Sequence, residues 1–229
     1  MNTKDRIKKA FKMTIPVLTG YICLGIGFGI LLESKGYGIL WALAMGLFIY
    51  AGSMQYVAID LLAGGASLIA TALTTLMVNA RHLFYGISMI DKYKDMGKKK
   101  PYVIFALTDE TYSLICSDES NDKTLYFFIS LFNQIYWVTG CVLGSAIGSL
   151  INFNTKGIDF VLTALFVTIF VEQWLSSKNH ISAIIGVGSA VLCLFVFGKD
   201  FFLIPSMILI SVLLTVFKKQ IEKGAEDNE

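Results

Sequence analysis

An all-α, polytopic integral membrane fold is the expectation from three features of the chain. Hydrophobic residues make up 55% of the 229 residues and charged residues only 16%, with a mean hydropathy of +0.65, whereas soluble domains carry about 25% charged residues. The charges crowd together, with Lys4, Arg6, Lys8, Lys9 and Lys12 at the start, a second basic cluster at Lys92 to Lys100, and Lys218, Lys219 and Lys223 near the end. Between the clusters run apolar tracts of bilayer-spanning length, about 17 to 25 residues. The formal charge of +2 therefore reads as anchoring at membrane edges, with the lipid bilayer and not nucleic acid as the large partner.

Taken in order, the candidate spans are 14–33, 37–60, 66–90, 101–117, 124–151, 158–175, 180–197 and 200–217. They give about six to eight membrane segments in a single transmembrane transporter domain, 1–229, with a basic cytoplasmic N-terminus over 1–13 and a cytoplasmic tail over 218–229. The first tract imitates a secretory signal, but Thr14 to Leu32 is too long for a usual h-region and no small-residue cleavage pattern follows, so it reads as a retained span. If all eight tracts crossed with the N-terminus inside, the lysine-bearing tail would lie inside too, but loop 91–100 would fall outside, against the positive-inside rule. The conflict is removed if 66–90 and 101–117 enter and leave on the same face.

Three tracts are irregular in ways that point to broken or re-entrant helices. In Ala51 to Ala66, Gly52, Gly64 and Gly65 permit unusual backbone angles beside Gln55 and Asp60. In 66–90, Arg81 costs about 2.5 to 3.5 kcal/mol at a bilayer centre, and Asn79 and His82 tip the balance against insertion alone. A regular helix there would group Thr74, Arg81, Tyr85 and Ser88 on one side and Thr71, Thr75, Asn79 and His82 nearly opposite. Either protein surrounds such a helix or its backbone breaks near Asn79, which is tolerated at membrane depth only beside a cavity or within protein. In 101–117, Pro101 suits a first helical position, and the six consecutive polar residues Thr108 to Ser113 cover every helical face.

Small-residue spacing marks helix packing, with Gly25 and Gly29 in one GxxxG and Gly140, Gly144 and Gly148 in two overlapping ones. Leu18-Thr19-Gly20 echoes Val138-Thr139-Gly140, and Lys35-Gly36 echoes Lys156-Gly157 after a one-residue shift, a pattern that would suit an internal repeat. Cys23, Cys116, Cys141 and Cys193 lie in or beside apolar tracts without metal-ligand spacing and read as structural thiols. No metal or other cofactor is expected.

Intramembrane ionisable residues mark solute pathways, so transport is the first functional hypothesis. The candidate substrate and pathway residues are Gln55, Asn79, Arg81, His82, Tyr85, Asp109 and Glu110. Arg81 suits a substrate carboxylate or a carboxylate partner, and His82 has the unperturbed pKa for proton coupling. Asp109 and Glu110 suit a proton or an ammonium group, because adjacent carboxylates repel and one of them could hold a proton. Gln55 and Asn79 could bond substrate or satisfy freed backbone groups. Tyr136 and Trp137 read as core packing ahead of a side-chain pocket. Nothing matches GxxxxGK[ST], so an ion gradient and not ATP would supply the energy. A passive channel or scaffold subunit is the alternative; an intramembrane enzyme is remote, since His82 has no nucleophile motif nearby.

The run MVNARHLFYG, preceded by AGSMQYVAIDLL and followed by LTDETYSL, resembles the large subunit of the AzlC branched-chain amino-acid exporter family. NQIYWVTGCVLGSAIG, from Asn133 to Gly148, and GIDFVLTALFV, from Gly157 to Val167, fit it as well, so the resemblance covers nearly the whole chain. Ser53-Met54 departs from the alanine-serine order expected within AGSMQY. The resemblance implies a multi-pass inner-membrane permease that exports valine, leucine, isoleucine, methionine or related neutral amino acids, working with a small hydrophobic AzlD-type subunit. The expected mechanism is proton-coupled alternating access.

Overall fold

The computed structural model describes residues 2–79, 81–150, 180–198 and 202–217, together with 160, 163, 164, 167, 170, 171, 174 and 175. All regular structure among them is helical. The chain divides into two compact units, Met1–Leu162 and Thr163–Glu229.

The first unit is framed by two helices, α1 (Thr3–Ser34) and α8 (Lys123–Leu150), the two described helices long and apolar enough to cross a membrane. Helix α1 starts eleven residues before the predicted span, so the basic N-terminus forms its first turns. The two run parallel, since rising residue numbers on one meet rising numbers on the other. Arg6 Nε donates to Asp122 Oδ2 at 2.6 Å and Lys9 Nζ to Asp118 Oδ1 at 2.8 Å, just before α8 begins. Further along, the Thr14 and Tyr136 hydroxyls lie 3.1 Å apart, and the Tyr21 ring sits edge-on to Trp137 at 5.5 Å. At the far end Ser145 Oγ donates to Glu33 Oε2 at 2.6 Å. The predicted GxxxG motifs face one another: a Cβ on Gly29 would collide with the carbonyl of Cys141, and one on Gly144 with the carbonyl of Ile26. Backbones approach this closely only where side chains are missing.

Between these two helices the chain makes two hairpins that enter from opposite ends. Helix α2 (Ile39–Phe48) starts where α1 stops and descends along α8, with Gly46 against Val138 and Gln134 Nε2 donating to Leu47 O at 3.3 Å. Tyr50, at φ 43°, turns the chain in the sparsely populated left-handed region. Helix α3 (Gly52–Ala63) then climbs back, from Gly52 beside Trp137 to Tyr56, whose hydroxyl donates to Leu24 O at 2.7 Å and whose ring meets Phe28 edge-on. Tract 37–60, predicted as one crossing, is therefore a returning hairpin. Its break falls at Tyr50, two residues before Gly52, which opens α3 and is the first of the glycines that marked Ala51 to Ala66 as irregular.

From the far end, α4 (Leu68–Val78) begins at a Ser67 cap that accepts from Ala70 N at 3.2 Å, and ends at Asn79. Helix α5 (Arg81–Ser88) follows and delivers the chain to the charged end. There Lys92 Nζ donates to the carbonyls of Ile115 (2.6 Å), Cys116 (3.2 Å) and Asp118 (3.0 Å). The predicted break near Asn79 is present, but 66–90 passes from one end of the unit to the other.

The second hairpin enters from this charged end. Lys99 Nζ lies over the Phe127 ring at 5.1 Å, and α6 (Lys100–Phe105) rises past α8, with Tyr102 donating to Gln134 Oε1 at 2.7 Å. Phe105 reaches Tyr50 at the tip of the other hairpin, with ring centroids 6.3 Å apart. Thr108 caps α7 (Asp109–Cys116), which descends from there to the Lys92 contacts. Tract 101–117 thus enters and leaves at one end, as predicted. Because 37–60 also returns to its own end, loop 91–100 lies beside the basic start of α1, and the conflict with the positive-inside rule disappears.

In the second unit, α9 (Ile181–Phe197) packs with α10 (Leu203–Val216). Phe170, Val171 and Trp174 join Ala183, Ile184, Val187 and Gly188 around an apolar pocket of about 590 Å³. Trp174 stacks on His180 at 4.1 Å. Most of the predicted span 158–175 and the tail 218–229 lie outside the described residues, as does Lys156-Gly157 of the repeat echo.

Candidate functional site

The two hairpin tips meet about halfway along α1 and α8, and the polar side chains of the first unit converge there. Tyr21, in the middle of α1, is the hub. Its hydroxyl lies 2.7 Å from Thr108 Oγ1 and donates to Glu110 Oε2 at 2.5 Å. Thr108 can reach it because α6 stops at Phe105, and the same Oγ1 accepts from Thr111 N at 3.3 Å as the helix cap, satisfying a donor that every helix start leaves free. The Thr108 and Thr111 hydroxyls are 3.0 Å apart, and Asn133 Nδ2 donates to Thr111 Oγ1 at 2.9 Å. One continuous chain of hydrogen bonds therefore joins α1, α7 and α8.

Around this chain stand groups from the first hairpin. Gln55, fully buried on α3, accepts from Trp137 Nε1 at 2.7 Å, and Trp137 packs edge-on against Tyr21. Tyr50 is 3% exposed and its hydroxyl forms no hydrogen bond among the described residues; nor does Asn133 Oδ1, on a residue that is 0% exposed. An unpaired buried oxygen costs about 1 to 3 kcal/mol, so each is an exception with a reason behind it.

The seven predicted residues divide between two places. Gln55 and Glu110 line the junction of the tips, and Asp109 occupies the first position of α7 beside Glu110, half-buried. Asn79, His82 and Tyr85 lie on the broken third tract: His82 Nδ1 sits 3.2 Å from Asn79 O, the His82 ring is edge-on to Tyr85, and Tyr85 stacks on Tyr112 of α7 at 4.5 Å. The expectation that His82 and Tyr85 sit on opposite faces fails, because the two are three residues apart within α5, a spacing that puts side chains on the same helix face. Arg81 opens α5, and its side chain lies outside the described residues. Tyr136 is core, as expected, but Trp137 also holds Gln55.

Four contributors were missed. Tyr21 sits in an otherwise ordinary apolar span. Thr108 and Thr111 were noted only as part of a polar run. Asn133 was noted only within a motif, although a buried amide midway along a 28-residue apolar helix was a legible signal.

A sequence profile described as AzlC protein matches residues 16–151, which contain α8, both hairpins and α1 from Pro16 onward. The branched-chain amino acid transport protein AzlC of Bacillus subtilis is 46% identical over 98% of this chain and 91% of its own length. An uncharacterized membrane protein of Helicobacter pylori is 43% identical over 94% of the chain and 96% of its own, and the inner membrane protein YgaZ of Escherichia coli is 26% identical over 94% and 91%. No solved structure matches. With the profile covering more than half of the chain and a relative at this identity aligned along nearly all of it, the chain belongs to the AzlC family.

Proposed function

We propose that this protein is a multi-pass inner-membrane permease that exports branched-chain or related neutral amino acids, drawing on a proton gradient through alternating access and working with a small AzlD-type subunit. One observation carries the reading: two broken-helix hairpins from opposite ends meet at a polar junction inside an apolar helical frame. Hairpins of this kind let each half close from its own side, while freed backbone groups and helix starts at the tips offer donors to a carboxylate and acceptors to an ammonium group. Glu110 is the proton-carrying carboxylate. Gln55, Asp109 and Arg81 are the substrate-facing groups, and Asn79, His82 and Tyr85 line the approach from the charged end. The α1–α8 pair is the fixed frame, since its glycine seam leaves no room to slide. A branched aliphatic side chain is selected weakly, because one methylene in an apolar pocket is worth about 1 to 3 kcal/mol.

The test is efflux from cells loaded with dipeptides, with and without the small subunit. Saturable, uncoupler-sensitive export of valine, leucine, isoleucine or methionine is expected. Glu110→Gln should lose the pH dependence and Arg81→Ala should lose transport at normal membrane abundance. Export that survives an uncoupler would return the passive-channel reading, and absence of saturable efflux under every condition would end the proposal.

A further inference from the structure

The chain Glu110, Tyr21, Thr108, Thr111, Asn133 has a directional property that follows from counting hydrogens. Each of the three hydroxyls carries one hydrogen and can accept two. With Glu110 ionised, Tyr21 donates to Glu110, so the 2.7 Å contact between Tyr21 and Thr108 must be filled by the Thr108 hydrogen. Thr111 then has to turn its hydrogen to Thr108, the reverse of the direction the structure gives that 3.0 Å contact, in which Thr108 donates, and the Asn133 amide N–H completes the series by donating to Thr111. Every donor points toward the carboxylate.

With a proton on Glu110 Oε2, the series reverses. The carboxyl donates to Tyr21, Tyr21 to Thr108 and Thr108 to Thr111, which leaves the Thr111 hydrogen facing an amide N–H. The nearest group able to receive it is the same amide turned over, because Asn133 Oδ1 is the buried oxygen that otherwise lacks a partner. No bond is lost in the reversal. The proton count balances, since one proton arrives at Glu110 and each hydroxyl keeps its own hydrogen.

We infer that Asn133 is a positioning residue for proton coupling: its side-chain amide turns over when Glu110 is protonated, so that α8 registers through Tyr21, Thr108 and Thr111 the charge state of a carboxylate that it does not touch through any described hydrogen bond. The inference rests on the reading of Glu110 as the proton carrier. The titratable groups facing Glu110 are Tyr21 on α1, Tyr50 at the tip of the α2–α3 hairpin and Asp109 on its own helix. On α5, His82 is tied to Asn79 O, and the Arg81 side chain lies outside the described residues. Helix α8 contributes no ionisable group to the chain; Asn133 is its member.

The test is an infrared pH titration of the full-length protein in lipid, following the protonated-carboxyl stretch identified by its loss in Glu110→Gln. Asn133→Asp in its ionised form presents only acceptors to Thr111 and so favours the reversed series. It should move the Glu110 midpoint upward by about one pH unit, a tenfold gain in proton affinity. Placed on the Tyr21→Phe or Thr111→Val background, which cuts the series at one hydroxyl, the same substitution should move the midpoint much less. An equal shift on both cut backgrounds means direct repulsion between carboxylates and overturns the inference, as does no shift in any background. The titration needs no substrate. Absence of the Glu110 band change, or efflux whose pH dependence survives Glu110→Gln, would instead overturn the proposed coupling role itself.

Discussion

The two ends of the α1–α8 pair are held by opposite kinds of force. At the far end, Gly25 and Gly29 press against Gly140 and Gly144 backbone to backbone, and Glu33 packs beyond them on Gly148 and Ser145. At the charged end, Arg6 and Lys9 reach Asp122 and Asp118, and Lys92 gathers three carbonyls at the end of α7. A seam of van der Waals contact is fixed by shape and indifferent to pH, whereas ion pairs on long side chains can be opened and reclosed. The end that carries the basic clusters is thus the adjustable one, and it is also the end through which the Glu110 hairpin enters.

The sharpest way to break the comparison is to put a side chain into the seam. Gly144→Val or Gly29→Val should cost about 3 kcal/mol or more, because the obstructing atoms are backbone and cannot yield, and the protein should be lost from the membrane fraction in a detergent thermal-stability assay. Gly20→Ala is the control: nothing lies within 4 Å of the added carbon, and replacing a glycine inside a helix should gain up to about 1 kcal/mol. Equal losses from both substitutions would mean that the seam is not the source.

A smaller effect is expected between the ends. Trp137→Phe leaves Gln55 Oε1 buried without its donor and should destabilise by about 1 to 3 kcal/mol, whereas Gln55→Leu, which removes the acceptor as well, leaves only the Trp137 N–H to satisfy. Unequal melting temperatures for the two would measure how much of the cost belongs to each group.

The smallest effect separates the ends by pH. Burial by itself would raise the Asp118 carboxyl, but hydrogen bonds from Lys9 and Ser120 outweigh it and hold the carboxyl below the usual range. Asp122 is likewise pushed up by burial but brought lower by Arg6 and the Leu125 and Thr124 amides. A carboxylate depressed in the folded state adds stability that is complete above its unfolded pKa, about 3.9, and is lost as pH falls through the folded value. Acid should therefore loosen the charged end, by no more than about 1 kcal/mol per partly exposed pair, and leave the seam intact. Hydrogen exchange at residues 115–125 should rise below pH 4, and Asp118→Asn should flatten that rise, while amides near Gly144 stay protected in both proteins.

Much of this architecture was legible in the chain. The GxxxG spacings announced the seam, the polar run Thr108 to Ser113 announced a broken segment, and Asn79 and Arg81 announced a helix that could not continue. The turn at Tyr50 was legible only in part: Gly52 marked the stretch from Ala51 as irregular, but a tyrosine in a left-handed conformation has no local signature, and nothing local said that the chain would turn back there. Tyr21 was illegible for a related reason: one tyrosine in an apolar helix is unremarkable until another segment brings a carboxylate to it.

By itself the amino-acid sequence determined which segments are apolar, where the helices must pack closely and which segments cannot remain regular, since those follow from hydropathy, side-chain size and the cost of placing charge in lipid. Tertiary structure alone decided that 37–60 turns back, that loop 91–100 therefore shares an end with the basic start of α1, and that Glu110, Tyr21 and Asn133 form one network. Those outcomes depend on contacts between residues 22 to 112 positions apart, and a local pattern carries no information about which distant partner will satisfy a buried group.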